Sequence, residues 1–216
     1  MEKSVGADRG IAATYIIVHI FRVVKPRKNF DGNLILLYRY DIMKNKILRR
    51  QYMKIVVISD THGNSDIFYE IASRNQTADL FIHLGDGERE YEDIRSAFPL
   101  SAFLTVRGNN DWGSAPLVNT VNLEGHKIYM THGHRFDGMS IASYVAAAAK
   151  ANECKIALFG HTHVPFYEKI SGVHVFNPGS PSRPRGRCDA SFGIIELYPD
   201  KEPIFRHISV ENWHEF

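Results

Sequence analysis

The sequence predicts an α/β fold in which parallel and antiparallel strands are covered by helices. Three observations carry this. Through the first half of the body, short apolar runs rich in β-branched and aromatic residues alternate with helical patterns. From Leu117 the pattern turns to strands joined by tight turns. The early runs are apolar on both faces, as suits interior strands of a covered sheet.

Ile55-Val-Val-Ile58 is the first strand and runs into Ser59-Asp60-Thr61-His62-Gly63. Asn64 or Ser65 caps a helix that buries Ile67, Phe68, Ile71 and Ala72. Leu80 to Leu84 is a strand closed by Gly85-Asp86-Gly87, and Glu88 to Phe98 forms a weaker helix. Phe103 to Val106 leads into Arg107-Gly-Asn-Asn-Asp111. Right-handed crossovers make such strands parallel and bring their C-terminal ends to one rim of the sheet. Val118 to Leu123 and Lys127 to Met130 flank the hairpin signal Glu124-Gly125, and Thr131-His132-Gly133-His134 follows. Ser140 to Asn152 has the strongest helix propensity. Ile156 to Phe159 precedes Gly160-His161-Thr162-His163. Phe166 to Ile170 and Val173 to Phe176 flank a second turn, Ser171-Gly172, and strands at Ser191 to Leu197 and Ile204 to Ser209 complete the pattern.

Composition narrows the class. The 216 residues carry 26 Lys+Arg against 24 Asp+Glu and are 44% apolar, which sets aside disordered, collagenous and coiled-coil chains. Cys154 and Cys188 make no disulfide framework and no C-x-x-C pair, so a reducing cytoplasm is expected. Charge divides the chain. Residues 1–52 hold 11 basic and 4 acidic residues, a net +7, whereas residues 53–216 hold 15 and 20, a net −5. Residues 1–52 are read as a basic N-terminal extension, with Met53 resembling a natural start and 53–216 as the working domain; the alternative is an arm that attracts anionic partners. The apolar run Ile11 to Val24 contains His19 and Arg22 and falls short of the ~20 residues of a membrane span. No secretory cleavage site follows it. Neither a membrane nor a long nucleic acid is therefore expected as a partner, the second because the body is acidic.

Each polar cluster alone is compatible with caps and turns. Their conjunction is not explained that way, because five strand ends each deliver Asp, Asn or His to one region. Two divalent ions roughly 3.5 to 4 Å apart need this inventory: a bridging carboxylate, further Asp, Asn and His ligands, and open positions for water and substrate. Asp86 is the natural bridge. Imidazoles and hard oxygens without thiolate suit manganese, iron, zinc or nickel.

Asp60-x-His62, Gly85-Asp86, Gly108-Asn109, His132-Gly133 and Gly160-His161-x-His163 resemble, in order and spacing, the five blocks of the calcineurin-like metallophosphoesterase superfamily. With the Asn177-Pro-Gly-Ser180 loop, Met53 to about Leu197 is similar to its small prokaryotic metal-dependent phosphodiesterases. The resemblance implies a two-sheet mixed β-sandwich flanked by helices, with metals at the strand ends. It implies a first ion on Asp60, His62, Asp86 and His163 and a second on Asp86, Asn109, His132 and His161, with manganese favoured. It further implies hydrolysis of a small phosphodiester by a metal-bridging hydroxide attacking in line.

One departure bears on mechanism. Many relatives place His directly after the metal-binding Asn, where it contacts phosphate and protonates the leaving group; here that position is Asn110, which donates a hydrogen bond but no proton. His134 is the substitute acid, with a surface role as its alternative. Arg183, Arg185 and Arg187 read as a solvated loop or as a second phosphate contact, Trp112 as a stacking surface or core cover, Asp111 as a turn cap or a partner of Asn110, and His83 as a core histidine. The competing class is a protein-binding scaffold of the same fold with an impaired metal site. Seven complete ligand positions favour the enzyme, and exposed hairpin edges permit a homodimer.

Overall fold

The computed structural model describes residues 52–136 and 141–211. The expectations placed on residues 1–51, and on Ser140 as the start of a helix, lie outside them. The elements run β1 (Met53–Ile58), α1 (Ser65–Arg74), β2 (Leu80–His83), α2 (Glu88–Ala97), β3 (Phe103–Thr105), β4 (Val118–Leu123), β5 (His126–Thr131), α3 (Ile141–Ala151), β6 (Ile156–Leu158), β7 (Pro165–Ile170), β8 (Val173–Pro178), β9 (Ser191–Leu197) and β10 (Ile204–Ser209).

Two five-stranded mixed sheets result, ordered β10-β9-β1-β2-β3 and β4-β5-β6-β8-β7. The strand-helix alternation does not build a single sheet, as the crossover rule alone suggested. β1, β2 and β3 are parallel in the first sheet, but β6 pairs in parallel with β5 and β8 in the second. The physical reason lies between them. The β4–β5 hairpin opens a new sheet, and its turn residues Glu124 and Gly125 take φ of 49° and 80°, the pair of positive values a type I′ turn requires. Ser171 and Gly172, at 50° and 85°, turn β7 into β8 in the same way.

The apolar runs have two buried faces because each face belongs to a different core. Ile55 and Val57 of β1 point between the sheets, where Ile82, Ile128, Met130, Ile156, Leu158, Phe176 and Ile195 meet them. Val56 and Ile58 point outward onto Phe68, Ile71 and Ile94 of α1 and α2. In the second sheet Tyr129, Ala157 and Val175 pack on Val145, Ala146 and Ala149 of α3. Helix α1 is fixed at its start by Asn64, whose side-chain oxygen accepts the Ile67 N–H at 3.1 Å. This layering fixes both sheets and aims the ends of β1, β2, β3, β5 and β6 at one region. Truncating the layer they share is costly. Ile156→Ala, at a site with no solvent exposure, is expected to lose roughly 2–5 kcal/mol of unfolding free energy in a denaturant titration.

Candidate metal centre

The strand-end loops are drawn together by main-chain bonds and by an unusual backbone. The Asp60 N–H donates to the Gly85 carbonyl at 3.0 Å, His62 N–H to Asp86 at 3.0 Å, and Gly160 N–H to His132 at 3.0 Å. Asp60, His62, Asp86, His161 and His163 have φ of 58°, 45°, 58°, 68° and 60°. Left-handed backbone is costly for L residues and is tolerated best by Asp, Asn and His. The loops also approach too closely for a side chain at Gly108, where a Cβ would stand 2.1 Å from Asp86 Oδ1.

Asp111 secures this approach. Its Oδ1 accepts the N–H groups of Gly87 and Glu88 at 3.0 Å each, and its Oδ2 those of Asp86 at 2.8 Å and Gly108 at 2.7 Å. One carboxyl thus ties the β2 end to the β3 end and caps α2, whose own N-cap, Gly87, offers no side chain. Sequence reading had Asp111 as a turn cap or as a partner of Asn110; it caps a helix 23 residues upstream, an arrangement without a local signal. Asn177 does similar work for the β6 loop, donating to the Gly160 carbonyl at 2.8 Å and to Thr162 Oγ1 at 3.0 Å. Ser180 and Ser182 donate to the Asp60 carbonyl.

The centre itself is built around Asp60, which has no exposure. Its Oδ2 accepts from Ser59 Oγ at 2.6 Å and from the His161 N–H at 3.0 Å. Its Oδ1 is buried and has no hydrogen-bond partner, yet His163 Nε2 lies 3.2 Å away and the Nε2 atoms of His62 and His132 each 3.9 Å away. Two close groups form, Asp60 with His62 and His163, and Asp60 with Asp86 and His132. Asp86 Oδ2 stands between the histidines of both, 3.7 Å from His62 Nε2 and 3.5 Å from His132 Nε2. Asn109 Oδ1 is 3.2 Å from His132 Nε2. His161 lies outside the two close groups, its ring edge-on to His132 with 5.2 Å between centroids.

The donor set fits divalent ions. The Nδ1 of His132 donates to the Leu84 carbonyl at 2.7 Å, and that of His163 to the Arg183 carbonyl at 2.6 Å, which leaves each Nε2 facing the carboxylates and able to bind a cation. His62 and His163 face each other Nε2 to Nε2 at 3.1 Å, an approach that a cation between them would satisfy. The electrostatics agree. Burial works to raise the Asp60 pKa, but contacts with His163, His132 and Ser59 outweigh it and hold the carboxyl below its usual range. The same opposition, with His132 and Asn110 as partners, holds Asp86 far below. Burial works to lower the pKa of His132, and Asp86 and Asp60 override it upward. For His62 and His161 burial prevails and the pKa falls.

The comparisons with known proteins agree with this geometry. Residues 53–199 match the calcineurin-like phosphoesterase superfamily domain. The chain belongs to that superfamily, and is thereby a metal-dependent phosphoester hydrolase. It is 32% identical over 154 residues to the probable metallophosphoesterase YsnB of Bacillus subtilis, covering 70% of this chain and 89% of that one. It is 34% identical over 169 residues to the phosphodiesterase YfcE of Escherichia coli K12, covering 67% and 88%. The fold is similar to the crystal structure of a conserved uncharacterised protein of Streptococcus pneumoniae TIGR4, described as a predicted phosphoesterase, at a TM-score of 0.63 and 30% identity over 73% of this chain and 90% of that one.

The other residues singled out in the sequence take unequal places. Asn110 directs both its main-chain N–H, at 2.8 Å, and its amide, at 2.6 Å, to the Asp86 carboxylate. The His134 ring lies 5.5 Å from that of His132 and 6.3 Å from that of His161; its Nδ1 is buried without a partner, and burial lowers its pKa. Arg183 reaches the His62 carbonyl at 3.4 Å, beside the centre. Trp112 is 92% exposed and covers no core. His83 is fully buried on β2, satisfied through both ring nitrogens, and desolvated to a pKa of about 4.

Because His132 must be neutral to act as a ligand, protons compete with metal. Its raised pKa stabilises the metal-free fold fully below the ordinary value of about 6.5, a contribution lost as the pH rises through the raised value. Metal affinity runs the other way. Calorimetric titrations are expected to show affinity rising with pH across that interval, with proton release on binding; an affinity flat from pH 6 to 8 would contradict the assignment.

Proposed function

We propose that this chain hydrolyses small phosphodiesters at a centre of two divalent ions, manganese first among them, with nickel, zinc and iron as alternatives, in the cytoplasm. The observation that carries the reading is the buried Asp60 Oδ1, unpartnered by any hydrogen bond while three imidazole Nε2 atoms stand within 3.9 Å. One ion is assigned to Asp60, His62, Asp86 and His163, the other to Asp86, Asn109, His132 and His161. Asp86 is the bridge in this assignment because its Oδ2 stands between His62 and His132. Ions held there supply two things: acidification of water and neutralisation of phosphate charge.

The chain's own residues divide the remaining work. Asn110 holds the Asp86 carboxylate by two hydrogen bonds and so orients the bridge, a role that stands beside the expected contact with phosphate. Arg183 and Arg107 bring positive charge to the edge of the centre, beside His62 and His134 respectively. His134 is assigned as the acid for the leaving oxygen. With its pKa lowered, it is neutral at pH 7 in most molecules, so proton delivery is weak and acidic leaving groups are favoured. A small substrate fits the net charge of −5 on residues 53–216, which disfavours long polyanions.

The full chain with Mn²⁺ is to be assayed on bis-p-nitrophenyl phosphate and p-nitrophenyl phosphate, with Asp86→Asn as control. Metal-dependent turnover that favours the diester and falls at least a hundredfold in the variant is expected. Absence of turnover with Mn²⁺, Ni²⁺ and Zn²⁺ in folded, metal-loaded protein would instead favour the scaffold. A second series separates the acid. His134→Gln is expected to lower the rate on an alkyl ester by about 10²-fold and to leave the p-nitrophenyl rate within a few-fold; equal losses on both would remove His134 from that role.

A further inference from the structure

Beneath the metal centre lies a buried group that the proposed chemistry does not use. Glu90, in the first turn of α2, is only 5% exposed. Its Oε1 accepts the Thr61 hydroxyl at 3.0 Å and the Gly63 main-chain N–H at 2.5 Å, so it holds the residues on either side of His62. Resting on the two-ion reading above, we infer that Glu90 is the positioning residue that presents His62 to the Asp60, His62 and His163 group, and thereby governs filling of that one ion position.

The bonds have a single direction. The Gly85 N–H donates to His83 Nδ1 at 3.2 Å, which leaves the proton of the neutral ring on Nε2. That N–H donates to Thr61 Oγ1 at 3.2 Å, and the Thr61 hydroxyl donates to Glu90. The chain therefore starts beside Asp86, crosses under the centre and ends by fixing the His62 turn. Members of such a chain polarise and orient one another.

His62 needs this support more than the other ligands of its group. It has φ of 45° and is followed by Gly63 at 89°, conformations that a free loop readily leaves. His163 is locked at Nδ1 by the Arg183 carbonyl, and Asp60 at Oδ2 by Ser59 and the His161 N–H. Among the described contacts of the His62 ring, the polar ones lead to the other centre residues Asp60, Asp86 and His163. The aim of its ring therefore rests on the main chain that Glu90 holds. The second group draws on a different anchor, since the Asn109 loop is tied by Asp111 and by Glu88, which accepts the Trp112 and Gly113 N–H groups.

The test counts ions in the full chain. Wild-type protein, Glu90→Ala, Glu90→Gln and Thr61→Val are titrated with Mn²⁺ by calorimetry, and their electron paramagnetic resonance spectra are recorded for the coupled signal of an ion pair. Ile94→Ala, a buried apolar site on the same helix, controls for lost stability. Glu90→Ala is expected to bind one ion tightly and the other about 10- to 100-fold more weakly, with the coupled signal replaced by that of isolated Mn²⁺. Glu90→Gln keeps an acceptor oxygen and is expected to restore two ions, while Ile94→Ala retains both. Should Glu90→Ala fail to fold, Thr61→Val is the deciding variant and is expected to weaken the same single ion at least tenfold. Two ions of wild-type affinity in Glu90→Ala, or in Thr61→Val where that variant decides, would overturn the inference alone. Equal weakening of both ions would also overturn it, by reducing Glu90 to a general structural role. Wild-type protein that takes fewer than two ions would overturn the two-ion reading itself.

Discussion

A carboxyl group withdrawn entirely from water is the constraint on which the centre depends. Burying an ionised group without compensation is prohibitive, so Asp60 must be surrounded by donors or cations. The chain supplies only part of that compensation through hydrogen bonds, all of it on Oδ2. The other oxygen faces the ring nitrogens of three histidines instead. Of these, His132 alone is drawn upward in pKa, by Asp86 and Asp60 against its burial. An oxygen so placed suits a cation, whose charge would compensate a buried carboxylate that hydrogen bonds satisfy on one side alone.

That constraint explains the backbone around it. Five residues of the centre in left-handed conformations store strain that a lone loop would release. The strain is retained because the loops brace each other through the Asp111 carboxyl, through Asn177 and through the serine contacts to the Asp60 carbonyl. The two sheets carry the braces in turn. β1, β2 and β3 deliver Asp60, Asp86 and Asn109 from one sheet, while β5 and β6 deliver His132, His161 and His163 from the other. Contacts at the centre cross from one sheet to the other, from His132 to the Leu84 carbonyl and from the His161 N–H to Asp60, so core packing and the geometry of the centre become mutually dependent.

Much of this was legible in the sequence, for identifiable reasons. Local patterns set every described strand to within two residues, since burial of both faces of β1, β2 and β6 leaves an unbroken apolar run that polar ligand clusters terminate. The turns at Glu124-Gly125 and Ser171-Gly172 announced their hairpins through glycine. The assignment of strands to two sheets was not readable from alternation, because β6 follows a helix as β2 and β3 do yet pairs elsewhere. Nor were the contacts of Asp111 and Glu90, which act over 25 and 29 residues and leave no periodic trace. The contact of Asn110 with Asp86 was hidden for a related reason. Its position in the motif pointed toward phosphate, whereas its geometry joins it to Asp86.

The substitution at position 110 has a consequence for how the centre divides its labour. A histidine there would hold a proton for the leaving group but give the Asp86 carboxylate one fewer amide donor. Asparagine reverses the exchange. Its two hydrogen bonds to Asp86 favour the ionised carboxylate and, together with His132, hold its pKa well below the ordinary range against the effect of burial. In the proposed division of labour proton delivery falls to His134, which lies outside the five motif blocks and whose Nδ1 is unpartnered on a ring beside His132 and His161. On the function proposed above, such a centre would rely on the substrate to provide a stable leaving oxygen, which would place selectivity in the chemistry of the ester as much as in the shape of a pocket.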